Sequence, residues 1–413
     1  MLDKLEGGVE VNVSAPGKVI LHGEHSVVYG KLAIAGSLGL RTKLKLVEIK
    51  ELNTFAAVVK PLSFRHSFQL ADVQNLVDKV HVQGSPLNFN LAEPNLINFD
   101  KQLAAVRKLL IGVAEENRSV SNSLECVLFL ISAILSSVNV NVYSFAIIVD
   151  TELEIGAGTG SSASFCVALT AGLLQYLKRK TTQLQNISKQ GFKRFSFDLD
   201  SAGNDHFNDE ELRLICEWAF LGERIFHGTP SGIDNAVCTY GNLVKFHKGS
   251  APKPIKLQRS LNILLINTQV SRVTANLVAS VRLLYEKFPD VVGKILDSMD
   301  NLTCEAAEII LNIDNSLCAK DTEEYYENLG QLVKINHGLL NTLGVSHPRL
   351  EEIIRILLKH KLIGKLTGAG GGGFALAVLP PSFEITDVAK ELMNAGFKVI
   401  QTKLGGVGVR IDI

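Results

Sequence analysis

Residues 152–169 read ELEIGAGTGSSASFCVAL and connect two segments with different apolar patterns. The residues before them, 143–149, form an apolar run that is typical of a buried strand. The residues after them repeat apolar side chains at helical spacing as far as residue 177. Glycines at 156, 158 and 160 separate the two and leave backbone N–H groups unobstructed by Cβ atoms. A loop of this kind before a helix N-terminus is typical of a phosphate-binding turn.

The loop does not match the two best-known nucleotide-binding patterns. No lysine follows the glycines, as it does in the P-loop, and Ser161 stands where the dinucleotide fingerprint has its third glycine. The alternative interpretation is a tight strand-to-helix turn that is capped by Ser161 or Ser162. The loop alone therefore indicates phosphate binding without identifying the ligand.

Composition and charge exclude several classes of protein. A length of 413 residues suits two or three domains, and 46% hydrophobic with 20% charged residues is typical of a globular protein with a full core. The 42 basic and 42 acidic residues cancel, so no overall field attracts nucleic acid or an anionic membrane. The most hydrophobic run, 124–135, is too short to span a bilayer and predicts a buried helix.

The cysteines and the N-terminal residues indicate a cytoplasmic protein. Six cysteines occur without a C-x-x-C pair, mostly within apolar runs, so we expect core thiols in a reducing compartment. The first ten residues lack the apolar centre of a signal peptide.

The remaining pattern predicts an alternation of strands and helices. Residues 50–95 give no clear pattern because prolines interrupt them, and the polar, charge-rich residues 178–208 predict a solvated loop. A proline-containing basic connector at 250–256 predicts a domain boundary, with domains at 1–257 and 258–413. The predicted strands are 9–13, 19–21, 40–49, 261–268, 365–368, 374–379, 398–403 and 407–412. A turn is predicted at 14–18, between the first two strands, and the strand at 40–49 is predicted to be half-exposed. The predicted helices lie within 96–135 and at 272–287, 290–313, 321–343, 348–360 and 384–396.

A short polar segment, HGEH at 22–25, lies within apolar surroundings. Zinc binding by His22 and His25 would need a helix, and Gly23 disfavours one. The segment therefore predicts a substrate pocket lined by Lys18, Glu24 and His25, with a satisfied polar turn as the alternative.

Glu223 is expected to be buried. Asn208 is a candidate cap for a helix that starts at Asp209, and Glu223 falls near the centre of the apolar stripe of that helix. A buried carboxylate needs a cation, which is either a Lys or Arg side chain or a metal ion. Asp234 follows shortly after, in the glycine-containing turn SGIDN at 231–235.

Four stretches occur together: PGKVILHGEHSVVYG (16–30), GAGTGSSAS (156–164), GERIFHGTPSGIDNAV (222–237) and KLTGAGGGGFAL (365–376). They resemble the kinases that phosphorylate galactose, homoserine, mevalonate and phosphomevalonate, and the resemblance covers both halves of the chain. Galactokinases follow Gly-Glu-His with an acidic, aromatic segment, whereas Ser-Val-Val follows it here. The combination of Lys18 with HGEH and SGIDNAV is similar to the members that act on mevalonate.

This resemblance implies an α/β fold with two domains (α+β) and an active site in the cleft between them. The N-terminal domain would be of the ribosomal S5 domain 2 type, and the C-terminal domain a ferredoxin-like α/β sandwich. The resemblance also implies ATP as co-substrate, Mg²⁺ as cofactor, a homodimer, and a role in isoprenoid and sterol precursor synthesis.

The resemblance further implies roles for individual residues. Asp234 would take the proton of the substrate alcohol, while Lys18 would stabilise the developing alkoxide and contact ATP. Ser162 and Glu223 would bind Mg²⁺, which prefers oxygen ligands. The ATP-binding residues would also include Thr151, Gly156, Ala157, Gly158, Thr159, Gly160, Ser161, Ser162, Gly370 and Gly371, and the substrate-binding residues Glu24, His25 and Thr274.

Charge favours mevalonate as the acceptor. Phosphomevalonate would bring about 1.5 to 2 further negative charges, whereas Lys18, Glu24 and His25 offer a modest positive balance that suits one carboxylate. Arg272 is the candidate partner of that carboxylate, because its planar fork binds it in a bidentate manner. The alternatives are a sister kinase for another small alcohol or for phosphomevalonate, and a non-catalytic ligand sensor. The presence of Asp234, Lys18 and Glu223 disfavours the sensor.

Overall fold

A computed structural model describes residues 5–51, 53–80, 91–113, 117–138, 141–187, 206–250 and 252–412. The strands in this part of the chain are β1 (Glu10–His22), β2 (Ala33–Glu48), β3 (Thr54–Val59), β4 (Phe64–Gln69), β5 (Phe145–Thr151), β6 (Leu243–Phe246), β7 (Lys253–Ile255), β8 (Leu261–Asn267), β9 (Gly364–Leu366), β10 (Phe374–Val378), β11 (Lys398–Leu404) and β12 (Arg410–Ile411). The helices are α1 (Leu70–Asp78), α2 (Phe99–Leu109), α3 (Arg118–Ser137), α4 (Ser161–Ile187), α5 (Asp209–His227), α6 (Ile233–Tyr240), α7 (Thr274–Lys287), α8 (Pro289–Asn315), α9 (Ala319–Thr342), α10 (Pro348–Lys359) and α11 (Thr386–Asn394).

The strands form one mixed sheet that runs through both halves of the chain. Its main path is β4-β3-β5-β2-β11-β8-β10-β9, with β1, β6, β7 and β12 attached beside it. The β3–β5 pair is parallel. A single residue pair, Leu404 with Leu38, joins β11 to β2 and so links the two halves. The predicted α/β fold class is confirmed by this architecture.

Strand β1 departs from the prediction. The turn expected at 14–18 was wrong, because β1 continues for 13 residues through Pro16. Its register against β2 shifts between Pro16 and Lys18, and again between Ile20 and His22. A bulge accommodates a proline that cannot donate a ladder hydrogen bond, and it changes the direction of the following side chains. Lys18 is therefore placed by a bulge and not by a turn.

Strand β2 is longer and more buried than expected for 40–49. It starts at Ala33 and pairs with β1, β5 and β6 along its length. Helices α4, α6 and α8 also pack against the strand, so most of its residues are buried. Pairing with distant strands has no signature in the local sequence, and the prediction of half exposure was therefore wrong.

The three largest apolar clusters of the described residues form most of the core. The first packs α3, α4 and α5 on the sheet and includes Val409 and Ile411 from the C-terminal end. The second lies between β8, β10 and helices α8, α10 and α11. The third joins Val19 and Ile34 to residues of β8, α8 and α9. The boundary predicted between residues 257 and 258 stays a prediction, since this third cluster contains residues from both sides of it.

Helix α3 contains the apolar run 124–135, which was predicted to be a buried helix. By length and composition α3 is the one helix in the described residues that meets the criteria of a membrane span. However, 78% of its apolar window is buried inside the protein. Its position is that of a core helix, and the prediction is confirmed.

The cysteines are all free thiols, and only some of them lie in the core. Three are buried, Cys216 is half-buried, and Cys304 and Cys318 are exposed. The expectation of core thiols therefore holds for half of the set.

The solvated loop expected at 178–208 was wrong at its start, and residues 188–205 lie outside the described part. Helix α4 extends to Ile187. Lys178 Nζ lies 2.5 Å from Glu211 Oε1, and both side chains are only 3% exposed. Lys180 Nζ lies 2.7 Å from Glu48 Oε1. These lysines form ion pairs with carboxylates of other, buried elements. A run of charged residues in the sequence does not show whether the charges are paired in this way or solvated.

The Lys178–Glu211 pair predicts a large stability effect. We expect Lys178→Met to lower the free energy of unfolding by about 3–5 kcal/mol, because the Glu211 carboxylate is left buried without its cation. Adding Glu211→Gln should recover most of the loss. Urea unfolding measures both, and Arg282→Ala, in an exposed ion pair with Glu286, is the control. A Lys178→Met variant with the same free energy of unfolding as the wild type would contradict the prediction.

Candidate functional site

A cavity of about 610 Å³ lies where the two halves of the sheet meet, within the usual size range for small-molecule sites. It brings most of the predicted site residues together. Those on its wall are Lys18, Glu24, His25, Thr151, Gly156, Gly158, Gly160, Ser161, Ser162, Glu223, Asp234, Arg272 and Thr274.

The glycine loop has the geometry that the sequence predicts. Gly156, Gly158 and Gly160 have φ of 77°, 86° and 73°, which is the left-handed region that favours glycine. Helix α4 begins directly after them and points its N-terminus at the cavity, where its dipole favours an anion. A Cβ atom at Gly160 would lie 2.8 Å from Lys18 Cγ. The loop therefore needs glycine both for its conformation and for its contact with β1.

Lys18 and Asp234 form an ion pair at the cavity wall. The distance from Lys18 Nζ to Asp234 Oδ2 is 3.2 Å, and the side chains are 9% and 29% exposed. Asp234 lies in the first turn of α6, where Gly232 caps the helix with φ of 83°. The backbone N–H of Lys18 donates to Thr159 O at 2.9 Å. The pair is thus attached directly to the glycine loop, with the carboxylate open to the cavity.

Glu223 is buried, as the helical pattern predicts, and is 1% exposed. Its Oε1 has no hydrogen-bond partner among the described residues, and in that part of the chain no Lys or Arg forms an ion pair with it. Burial, and then the nearby charge of Asp234, raise the pKa of Glu223 to about 7.

A hydroxyl group lies beside this carboxylate. Ser162 Oγ is 3.0 Å from His227 Nε2, and the same imidazole nitrogen is 3.9 Å from Glu223 Oε2. An unsatisfied carboxylate oxygen next to a hydroxyl is a donor set that suits Mg²⁺. No group of three His, Cys, Asp or Glu in the described chain has the arrangement of a metal site. A nucleotide-bound Mg²⁺ needs only one or two protein ligands, because phosphates and water supply the rest.

Glu24 and His25 lie on the opposite wall. The Glu24 carboxylate is 1% exposed; it pairs with Lys365 Nζ and accepts a hydrogen bond from Asn336 Nδ2 at 3.2 Å. His25 Nε2 lies 2.9 Å from Ala369 O. Burial lowers the pKa of His25. The structure therefore connects HGEH to the second glycine-rich segment.

Arg272 lies between the two glycine-rich segments. Its guanidinium donates to Gly372 O at 2.8 Å and to Ala157 O at 3.4 Å. Burial lowers its pKa. No carboxylate of the described residues forms an ion pair with it, so the cation is available to an anionic ligand. Thr274, at the start of α7, lies beside it on the wall.

The second glycine-rich segment connects β9 and β10. Gly368 and Ala369 face the cavity, whereas Ala157, Thr159, Gly370 and Gly371 are not part of the lining. Gly371 N donates to Val345 O at 2.8 Å, and a Cβ atom at Gly370 would lie 1.9 Å from the same oxygen. These two glycines permit close packing behind the wall, and their predicted contact with ATP stays a prediction.

Sequence reasoning missed one end of the cavity. It is lined by Val59, Pro61 and Leu62, and by Ser119, Asn122 and Ser123 at the start of α3. Thr151 lies near this end, where its hydroxyl is 2.9 Å from that of Thr42. The available signal was the i, i+3, i+4 spacing of polar residues at the start of an otherwise apolar helix. The proline-interrupted residues 50–95 offered no comparable signal.

Comparisons with known proteins show which family the chain is similar to. The sequence matches the family described as GHMP kinases N terminal domain over residues 124–193 and GHMP kinases C terminal over residues 320–399. It is 34% identical to mevalonate kinase of Mus musculus, over 96% of this chain and 94% of that protein, and 35% identical to mevalonate kinase of Bos taurus, over 97% and 94%. The fold is similar to that of L. major mevalonate kinase in complex with R-mevalonate, with a TM-score of 0.64 and 21% identity over 99% of this chain and all of that one.

The raised pKa of Glu223 predicts that the free energy of unfolding depends on pH. Because the pKa in the folded protein is above the ordinary 4.5, the folded state retains a proton that the unfolded state releases, and stability falls as pH rises from about 4.5 to 7. In metal-free buffer we expect Glu223→Gln to be more stable than the wild type at pH 8 by on the order of 3 kcal/mol, and by only about a quarter of that at pH 5. Urea unfolding at both pH values measures this.

Glu217→Gln is the control for this experiment. Glu217 lies on the same helix, 40% exposed and paired with Arg213. An equal gain in stability at pH 5 and pH 8 for Glu223→Gln would show that the buried charge is not the cause.

Proposed function

The chain belongs to the mevalonate kinase family, and from this membership we propose that it transfers the terminal phosphoryl group of ATP to the primary hydroxyl of mevalonate, giving 5-phosphomevalonate. The observation that carries the proposal is the Lys18–Asp234 ion pair, whose charged atoms lie 3.2 Å apart on the cavity wall. The backbone of Lys18 is hydrogen-bonded to the glycine loop. Phosphoryl transfer depends on such positioning and charge neutralisation more than on covalent chemistry.

Asp234 takes the proton of the acceptor hydroxyl. Its carboxylate is open to the cavity, while the Lys18 ammonium stabilises negative charge on the acceptor oxygen as the proton leaves. The backbone N–H groups of the glycine loop and the N-terminus of α4 hold the phosphates. The end of the cavity between Pro61 and Asn122 is free to receive the nucleoside.

Ser162 and Glu223 are the residues that would hold Mg²⁺. The partnerless Oε1 of Glu223 beside the Ser162 hydroxyl supports this assignment. When bound, the ion neutralises phosphate charge, and it supplies the cation that the buried carboxylate lacks.

The opposite wall receives the acceptor. Glu24, His25, Arg272 and Thr274 line this side, and Arg272 offers a cation for the single carboxylate of mevalonate. In the L. major relative of similar fold, R-mevalonate is the bound ligand. The additional phosphate of phosphomevalonate would need further cations near Arg272, and the described residues that line this side add only Lys18, which is paired with Asp234.

The proposal includes a cytoplasmic homodimer. The six free thiols support a reducing compartment. The family resemblance supports the dimer.

An ADP-release assay with mevalonate, phosphomevalonate, galactose and homoserine tests the substrate. We expect turnover with mevalonate, and about 10²- to 10⁴-fold less in Asp234→Asn, the usual loss when a positioned general base is removed. The variant should still fold and bind ATP, as measured by thermal unfolding and calorimetry. Equal or better activity on phosphomevalonate would overturn the substrate, and turnover within threefold of the wild type would overturn the role of Asp234.

Arg272→Ala tests the carboxylate anchor. We expect the KM for mevalonate to rise at least about tenfold, because a charge-assisted hydrogen bond is lost, while the KM for ATP changes much less. Arg282→Ala, an exposed residue of helix α7, which begins two residues after Arg272, should leave both constants unchanged. An unchanged KM for mevalonate in Arg272→Ala would show that the carboxylate binds elsewhere.

A further inference from the structure

His25 has a strained backbone. Its φ and ψ are 60° and −47°, and Ser26 N donates to Glu24 O at 2.7 Å across it. This is the positive-φ form of the γ-turn, which is rare because it is unfavourable for a residue with a side chain. Strain of this kind persists only where surrounding contacts enforce it, and it concentrates at functional sites. The turn directs the His25 ring to the cavity wall. The contacts that hold the turn in this conformation therefore determine where the ring lies.

Three contacts attach residues 20–25 to residues 365–369, which are distant in the sequence. Thr367 Oγ1 donates to Ile20 O at 2.7 Å. Glu24 pairs with Lys365. His25 Nε2 lies 2.9 Å from Ala369 O. The strained turn is therefore held from one side by the strand that leads into the second glycine-rich segment.

The Glu24–Lys365 pair is the most buried of these contacts. Both side chains are 0% exposed, and Lys365 Nζ also donates to Leu366 O at 2.8 Å. The two Glu24 oxygens accept hydrogen bonds from Lys365 and Asn336, which fix the carboxylate next to His25. Desolvation offsets much of the attraction within a buried pair, but loss of either partner leaves the other charge buried, with no further partner of opposite sign among the described residues.

We propose that Lys365 is a positioning residue for the acceptor site: its pairing with Glu24 holds His25 in the strained turn that places the imidazole on the cavity wall. The proposal rests on the proposed function for the identity of the acceptor, but the position of the His25 ring is independent of it. An ion pair that serves only to stabilise the fold would leave that position unchanged.

Lys365→Met removes the charge and keeps the length of the side chain. We expect the KM for mevalonate to rise about tenfold or more, since small displacements of positioning groups have effects of this size, with the KM for ATP changed less than about twofold. The ¹³C-labelled imidazole resonance of His25, assigned by its loss in His25→Gln, should shift. Lys178→Met is the matched control, because it breaks an equally buried ion pair away from the cavity. It should leave the resonance and both KM values unchanged.

The double variant Lys365→Met/Glu24→Gln covers the case in which the single variant fails to fold. Replacing both charges removes the unpaired buried carboxylate and permits folding. The turn still lacks its anchor, so we expect the same resonance shift and the same rise in the KM for mevalonate, without a further increase over a folded single variant.

Three results would overturn the proposal: an unshifted His25 resonance, an equal rise in both KM values, and recovery of wild-type KM in the double variant. Failure of the proposed function looks different, because the wild type would then release no ADP with mevalonate. In that event the comparison of the His25 imidazole resonance between Lys365→Met and Lys178→Met decides by itself whether Lys365 positions His25.

Discussion

The cleft depends on how its carboxylates are neutralised, because an isolated charge in a protein interior costs several kcal/mol. Three carboxylates of the cleft differ in how far the protein itself meets this requirement. Asp234 is partly exposed and has Lys18 beside it. Glu24 is fully buried and is paired within the protein. Glu223 is buried, and its Oε1 lacks a partner in the described chain. These differences match the roles proposed above, in which Asp234 accepts a proton, Glu24 fixes geometry and Glu223 holds a cation.

The backbone brings these charges together. The bulge in β1 places Lys18 against the first glycine-rich loop, through the hydrogen bond to Thr159 O. The β9–β10 connection carries the second glycine-rich segment to the other side, and Arg272 lies between the two. Side chains at Gly158 or Gly373 would occupy the position of the Arg272 guanidinium. The glycines in these segments therefore make room for a cation as well as for an anionic ligand.

Local pattern was sufficient for much of the fold and the site. The helix cap at Asn208, the burial of Glu223 and the strand–glycine–helix order all follow from the spacing of a few neighbouring residues, and the structure contains each of them. The errors involve contacts between distant residues. Pro16 suggested a turn because the pairing of β1 with β2 is not visible locally. Lys178 resembled a solvated charge because its partner, Glu211, lies on another helix. The strained turn at His25 depends on Lys365, which is far along the chain.

The pairing of β1 with β12 has a consequence for how the protein is made. Ser14 pairs with Arg410, and Val409 and Ile411 complete the first core cluster. Ribosomes add about 5–20 residues per second, so roughly 20–80 s pass between the synthesis of these partners. During that interval one edge of β1 stays unpaired and part of the core is incomplete, and both features promote aggregation. The nascent chain therefore exposes this part of β1 and of the core until β12 has been made.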